Sequence, residues 1–310
     1  MQSRGQIILE LLKGITSKVK FSQRIHNNRA MLCMFLGMFF FSIADAQSKF
    51  LTGSLPAIQI AWARQLVLFS CVFVFIVLRG IKVLETKHPY LQISRGATVA
   101  FSATFFTLGL SYVPLADAIS ITFLAPVIVT VLSIYLLGES VGKHRWIAVL
   151  TGLLGTLIIT QPSFNNFNLG FIFPILAAMF FALRQVLSRR VSEYDAIQTT
   201  VAYTALISFA LLSLCLPFFW IDVPSTSDAT TLLSLSVFSA AGEILIIYAF
   251  SIGLAVVITP IHYTIIIWAV IFGYFFFNEI PAITTVLGAF VIIISGFYIA
   301  IREWQLSLKV

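Results

Sequence analysis

The sequence predicts an all-α polytopic membrane protein, with ten transmembrane helices arranged as two inverted five-helix repeats. Three observations predict it. The 310 residues are 59% apolar and only 10% charged, where a soluble protein carries about 25% charge. Apolar runs long enough to cross a bilayer follow one another, with the basic residues gathered on alternate connections. The chain also matches itself at an offset near 140 residues. A chain of this length cannot hide so much apolar surface from water, so lipid is the solvent for most of it. That excludes a cytosolic enzyme, a nucleic-acid reader and a secreted disulfide scaffold. Cys33, Cys71 and Cys215 are odd in number, lie inside apolar runs and show no CxxC spacing. They indicate neither a disulfide frame nor a zinc site.

A helix crossing a ~30 Å hydrocarbon layer needs about 20 residues. Two apolar runs exceed that. Residues 96–137 would make a helix of roughly 63 Å, and 231–277 one of roughly 70 Å, at 1.5 Å per residue. Each is therefore two spans. The first divides at Tyr112-Val113-Pro114, where proline ends a helix. The second divides at Gly253, which accepts a turn. The predicted spans are 30–50, 57–78, 95–112, 115–137, 146–160, 169–187, 198–219, 231–252, 254–277 and 281–301.

Arg4, Lys13, Lys18, Lys20, Arg24 and Arg29 precede the first span. Arg79, Lys82, Lys87 and Arg95 separate spans two and three. Lys143 and Arg145 follow span four, Arg189 and Arg190 span six, and Arg302 and Lys309 span ten. Ten spans place all of them on one side; the opposite loops carry acids such as Asp222 and Asp228. The positive-inside rule then puts both termini in the cytoplasm. Trp146, Trp220 and Trp304 fall at span ends, as interface anchors do. Residues 1–29 form a basic cytoplasmic segment, in which Ile8, Leu11, Leu12 and Ile15 recur at helical spacing.

Within the repeat, Phe40-Phe41 pairs with Phe180-Phe181 and Ser48-Lys49 with Ser188-Arg189. Gly138-Glu139 pairs with Asn278-Glu279, and Ala57-Ile58-Gln59 with Ala196-Ile197-Gln198. The halves are 30–163 and 164–302, with a short tail at 303–310. Five spans is an odd number, so the second half sits upside down relative to the first, the plan of many secondary transporters.

These features carry a resemblance. Leu108 through Pro114-Leu115-Ala116-Asp117-Ala118 to Gly138-Glu139, with Gly152 and Gly155, resembles the drug/metabolite transporter (DMT) superfamily, specifically its EamA-type permeases. The second copy runs from Ala255 through Thr259-Pro260-Ile261-His262-Tyr263-Thr264 to Asn278-Glu279-Ile280-Pro281 and Gly288. Asn278 stands where the first copy has glycine; both can end a helix. The resemblance implies a central substrate cavity between the halves, worked by alternating access. The stretch from Pro260 to Pro281 is similar to that of proteobacterial permeases, among which riboflavin and S-adenosylmethionine carriers occur.

Ionisable groups inside a membrane need a reason. One set lies toward the outer face: Asp45 and Lys49, which share a helix face, Arg64 on the next span, and Asp117 at the start of span four. It is either an ion-pair cluster holding helices together or a gate or carboxylate site built on Arg64. A second set lies deeper: Arg184, Glu243 and His262. Glu243 has no basic residue in its own span, so it pairs across helices, is protonated or faces a water-filled cavity. The set is either a buried structural pair or the place of substrate binding and proton coupling. Histidine and buried glutamate are the side chains such coupling uses. The repeat partners of these residues, such as Ala44, Ala103 and Thr122, are uncharged, an asymmetry that a single asymmetric substrate would demand. Tyr263 and Trp268 flank the same region and could stack on a planar heterocycle. Pro126, Pro174 and Pro260 mark helix breaks.

No HExxH, GxSxG or metal-spaced acid cluster occurs, which speaks against an enzyme. No nucleotide-binding loop occurs either, so transport is secondary, with coupling to protons or simple exchange expected. No metal or cofactor is expected. The expected partners are a small-molecule substrate and the lipid bilayer of a bacterial inner membrane. The favoured substrate is riboflavin or a similar heterocyclic cofactor or precursor, taken up. The alternatives are an amino-acid exporter or an S-adenosylmethionine carrier. No span shows a small-xxx-small face beyond Gly152 and Gly155, so the sequence fixes no oligomeric state.

Overall fold

Prolines and small polar residues between the apolar runs set where each helix starts and stops. The structure, a computed structural model, describes residues 28–137, 143–160, 168–191, 194–252 and 261–307. Its helices are α1 (Asn28–Leu51), α2 (Ala57–Arg79), α3 (Pro89–Leu110), α4 (Leu115–Thr122), α5 (Ala125–Leu137) and α6 (Lys143–Thr160) in the first half. The second half holds α7 (Ile172–Val191), α8 (Ile197–Cys215), α9 (Thr226–Ile252), α10 (Thr264–Phe277) and α11 (Ile283–Ser307). The described residues contain no β-strand. Among the described residues, five helical segments are long and apolar enough to cross a membrane by themselves, and shorter apolar helices accompany them. The basic stretch 1–27 and Gly253 lie outside the described residues.

Pro56 and Pro114 cap α2 and α4, and Pro89 opens α3, positions where the missing N–H costs nothing. Ser225 N-caps α9: its hydroxyl accepts from the Asp228 amide at 3.0 Å and donates to the Asp228 carboxylate at 2.9 Å. Two boundaries differ from the sequence expectation. The span 115–137 is two helices, separated by a turn at Phe123-Leu124. Pro126 follows at once; it cannot donate to the Thr122 carbonyl, so the helix restarts. At the other end α11 runs through the expected tail to Ser307, since nothing after Gly288 breaks it.

Contacts between the halves come in pairs related by exchanging the halves. α3 meets α7 as α9 meets α1, and α3 meets α8 as α9 meets α2. Likewise α5 meets α7 as α10 meets α1. Three further contacts join equivalent spans: α2 with α8, α6 with α11, and the α4–α5 unit with α10. This is the pattern of two repeats packed about a pseudo-two-fold axis. The α6–α11 crossing depends on glycine. A Cβ on Gly155 would lie 2.9 Å from the Gly288 carbonyl, and one on Gly288 would lie 2.6 Å from the Gly155 carbonyl. Small residues let membrane helices approach this closely. Large apolar side chains such as Leu78 and Phe218 are 77% and 84% exposed, as lipid-facing residues must be.

Candidate functional site

Where the halves meet, the helices leave a cavity of about 600 Å³. Its charged lining comes from five residues: Asp45 on α1, Arg64 on α2, Arg95 on α3, Arg184 on α7 and Glu243 on α9, with His262 just before α10 beside them. Phe41, Phe106, Phe123, Phe181 and Tyr263 supply the aromatic wall.

The two carboxylates are held differently. Asp45 Oδ1 and Arg64 Nη1 are 2.7 Å apart, and both side chains are nearly closed off, at 6% and 10% exposure. The same Arg64 nitrogen also donates to the Ser48 hydroxyl at 3.2 Å. Arg184 Nη2 and Glu243 Oε1 are 3.6 Å apart, at 23% and 20% exposure. That distance is beyond a good hydrogen bond, so the second pair is a loose one open to the cavity. The repeat shapes both arginines. Phe41 and Phe181, equivalent at the 140-residue offset, lie 5.8 Å and 5.3 Å from the guanidinium carbons of Arg64 and Arg184.

Phe123 and Tyr263 are equivalent in the same way and stack with ring centroids 4.7 Å apart. Phe123 ends α4 and Tyr263 precedes α10, so both interruptions meet at one point on the cavity wall. Tyr263 stacks further on Phe297 at 5.6 Å, and His262 meets Phe123 edge-on at 5.7 Å.

The expected outer set of Asp45, Lys49, Arg64 and Asp117 is not one cluster. Asp45 and Arg64 face the cavity. Lys49 pairs with Glu279 at 2.6 Å and donates to the Val113 carbonyl at 2.9 Å. Glu279 also accepts from the Leu115 amide at 3.0 Å. Asp117 accepts from Thr285 at 2.7 Å, joining α4 to α11 away from the cavity. Helical spacing puts Asp45 and Lys49 on neighbouring turns, but tertiary packing gives each a different partner. Glu279 is aimed by its helix end. Asn278 adopts left-handed φ of 53° and its amide donates to the Tyr274 carbonyl at 3.1 Å, the left-handed cap that commonly ends a helix, and the Glu279 amide donates to the Gly273 carbonyl at 3.0 Å.

Trp268 does not line the cavity. It packs among Phe35, Phe39 and Phe272, with centroids 5.7, 4.8 and 6.3 Å away. Pro174 is in the first turn of α7, its ring against Gly109, and breaks no helix. Pro126 follows the α4–α5 turn, and Pro260 lies outside the described residues.

Arg95 is the residue the sequence reading misplaced. Counted among the loop charges, it lies in the second turn of α3 and faces the cavity. Its Nε donates to Ser188 Oγ at 2.6 Å, and its Nη1 donates to Thr204 Oγ1 and, at 3.4 Å, to the Thr200 carbonyl. The signal was available: Pro89 after a run of turn residues is a helix-start mark, and it carries α3 past Arg95.

Two exchange-related halves, apolar outside and packed around a cavity with charged and aromatic lining, define a multi-pass membrane transporter of two repeats. The model of the EamA-like transporter family matches residues 28–161 and 168–301, and the chain belongs to that family. It is 28% identical over 277 residues to an S-adenosylmethionine uptake transporter of Rickettsia prowazekii, covering 88% of this chain and 92% of that one. It is 26% identical to a pseudopaline exporter of Pseudomonas aeruginosa over 86% of this chain and 93% of the relative. It is also 26% identical to a riboflavin transporter of Vibrio cholerae over 90% of this chain and 95% of the relative. A solved protein structure shares the fold with a TM-score of 0.62, at 18% identity, over 89% of this chain and 98% of its own.

Proposed function

We propose that the chain carries a small organic metabolite across the bacterial inner membrane by alternating access, as a secondary transporter and not an enzyme. One observation carries this reading: a single cavity between the repeats holds both signs of charge and an aromatic wall. A charged heterocyclic metabolite fits that lining, and we favour S-adenosylmethionine, taken up. Its sulfonium and amine suit the carboxylates, its carboxylate the arginines, and its purine the ring wall. The Rickettsia relative supports the choice. Riboflavin is the second reading, supported by the Phe123–Tyr263 stack and the Vibrio relative.

The basic residues on alternate connections support a topology with both termini in the cytoplasm. Glu243 and His262, both at the cavity, are the groups we assign to proton coupling. The test is uptake of labelled S-adenosylmethionine and riboflavin by a bacterial strain lacking its own importers, with and without this chain. Saturable uptake of either is the expected result. Uptake no greater than in the empty strain would reject the uptake reading for both.

A further inference from the structure

We infer that the part of the cavity around Arg95 recognises an α-amino-acid head group, its carboxylate held by Arg95 and Arg184 and its ammonium by Glu243. The inference rests on the transporter reading above and specifies the chemistry of its site. It begins from a charge imbalance. Arg184 and Glu243 offset each other across 3.6 Å. Arg95 feels both of them but pairs with neither: among the described residues its partners are hydroxyl and carbonyl oxygens, and no carboxylate is bonded to it. Among the described residues this corner therefore carries one net positive charge, on a side chain set inside a membrane bundle. Neutral acceptors orient the guanidinium without neutralising it, and an unneutralised charge in such a place is costly.

A ligand carboxylate supplies the missing charge, in the planar two-oxygen form that guanidinium groups bind best. An ammonium on the same ligand would then stand beside Glu243, whose looseness leaves it free to take a second partner. The Asp45–Arg64 pair offers no such opening. It is closed at 2.7 Å with little of either side chain exposed, so it belongs to the cavity wall. The remainder of the ligand meets Phe106, Phe123, Phe181 and Tyr263, which set no charge requirement.

The test is thermal stabilisation of the full chain, purified in detergent and titrated with S-adenosylmethionine or with its decarboxylated analogue, which lacks only the carboxylate. Uptake of labelled S-adenosylmethionine into proteoliposomes is measured beside it. The wild type should bind the carboxylate form about ten- to a hundredfold more tightly, the range of a charged hydrogen-bonded contact. Arg95→Gln should erase that difference, and Arg95→Lys should retain part of it. Glu243→Gln should weaken both compounds alike, since both keep the ammonium. Equal binding of the two compounds by the wild type, or a preference surviving in Arg95→Gln, overturns the inference. Should Arg95→Gln not fold, the wild-type comparison alone decides. Carboxylate-dependent binding without uptake would support the site while rejecting S-adenosylmethionine uptake. Uptake without carboxylate dependence would do the reverse, and no binding of either compound rejects the site.

Discussion

Asp45 and Arg64 show how much of a buried ion pair's value lies in its completeness. Removing one partner leaves a charge with no solvent to meet it. Arg64→Ala should therefore lower stability by about 3–5 kcal/mol, whereas the double change Asp45→Asn with Arg64→Gln should cost far less. Thermal melts of the purified variants would measure both. Glu243→Gln should behave oppositely: its pair is loose and open, so the melting temperature should move little while uptake falls about tenfold or more. At this scale the sequence revealed which residues were unusual but not their partners. Asp45 and Lys49 share a helix face at four residues' spacing, yet one turns to Arg64 and the other reaches Glu279. Sequence separations of that size are closed only by tertiary packing. Arg95 was hidden for another reason: a cationic residue near a span end reads as an orientation charge until the helix start is placed at Pro89.

The helices were more legible than the side chains, because a bilayer demands long apolar runs and the runs are there. That two runs must be cut follows from length, Pro114 and Gly253 place the cuts, and the first is a turn in the structure. The break at Pro126 was legible and the structure has its turn just ahead of it, at Phe123-Leu124, but an apolar run with one proline looks the same whether the helix kinks or restarts. Two elements invite direct tests. Gly155→Leu should drive its side chain into the backbone of α11, where a Cβ alone already meets the Gly288 carbonyl at 2.9 Å. It should lower the melting temperature strongly or prevent folding. Gly53→Ala, whose Cβ meets nothing closer than 3.5 Å, should leave the melt unchanged. At the end of α10, Asn278→Gly should be tolerated. Asn278→Val should cost roughly 1–2 kcal/mol for the left-handed conformation and should slow uptake by misplacing Glu279.

At the scale of the molecule, the internal duplication explains both the symmetry of the scaffold and the asymmetry of its contents. Equivalent phenylalanines lie over Arg64 and Arg184, and equivalent residues stack at Phe123 and Tyr263. The charges themselves are not duplicated. Lys49 and Glu279 tie the two halves together at the end of the bundle away from Arg95, which suits a carrier that opens to one side at a time. With the native cysteines replaced, Lys49→Cys and Glu279→Cys joined by a short thiol cross-linker should hold that end shut. Transport should stop and return when the linker is cleaved. The most direct measurement is therefore uptake of labelled S-adenosylmethionine and riboflavin into proteoliposomes holding that cysteine pair, before and after cross-linking. The account predicts saturable uptake of one compound, abolished by the link and restored by its cleavage. Flux that rises without saturation and persists with the halves linked would mark a pore and contradict it.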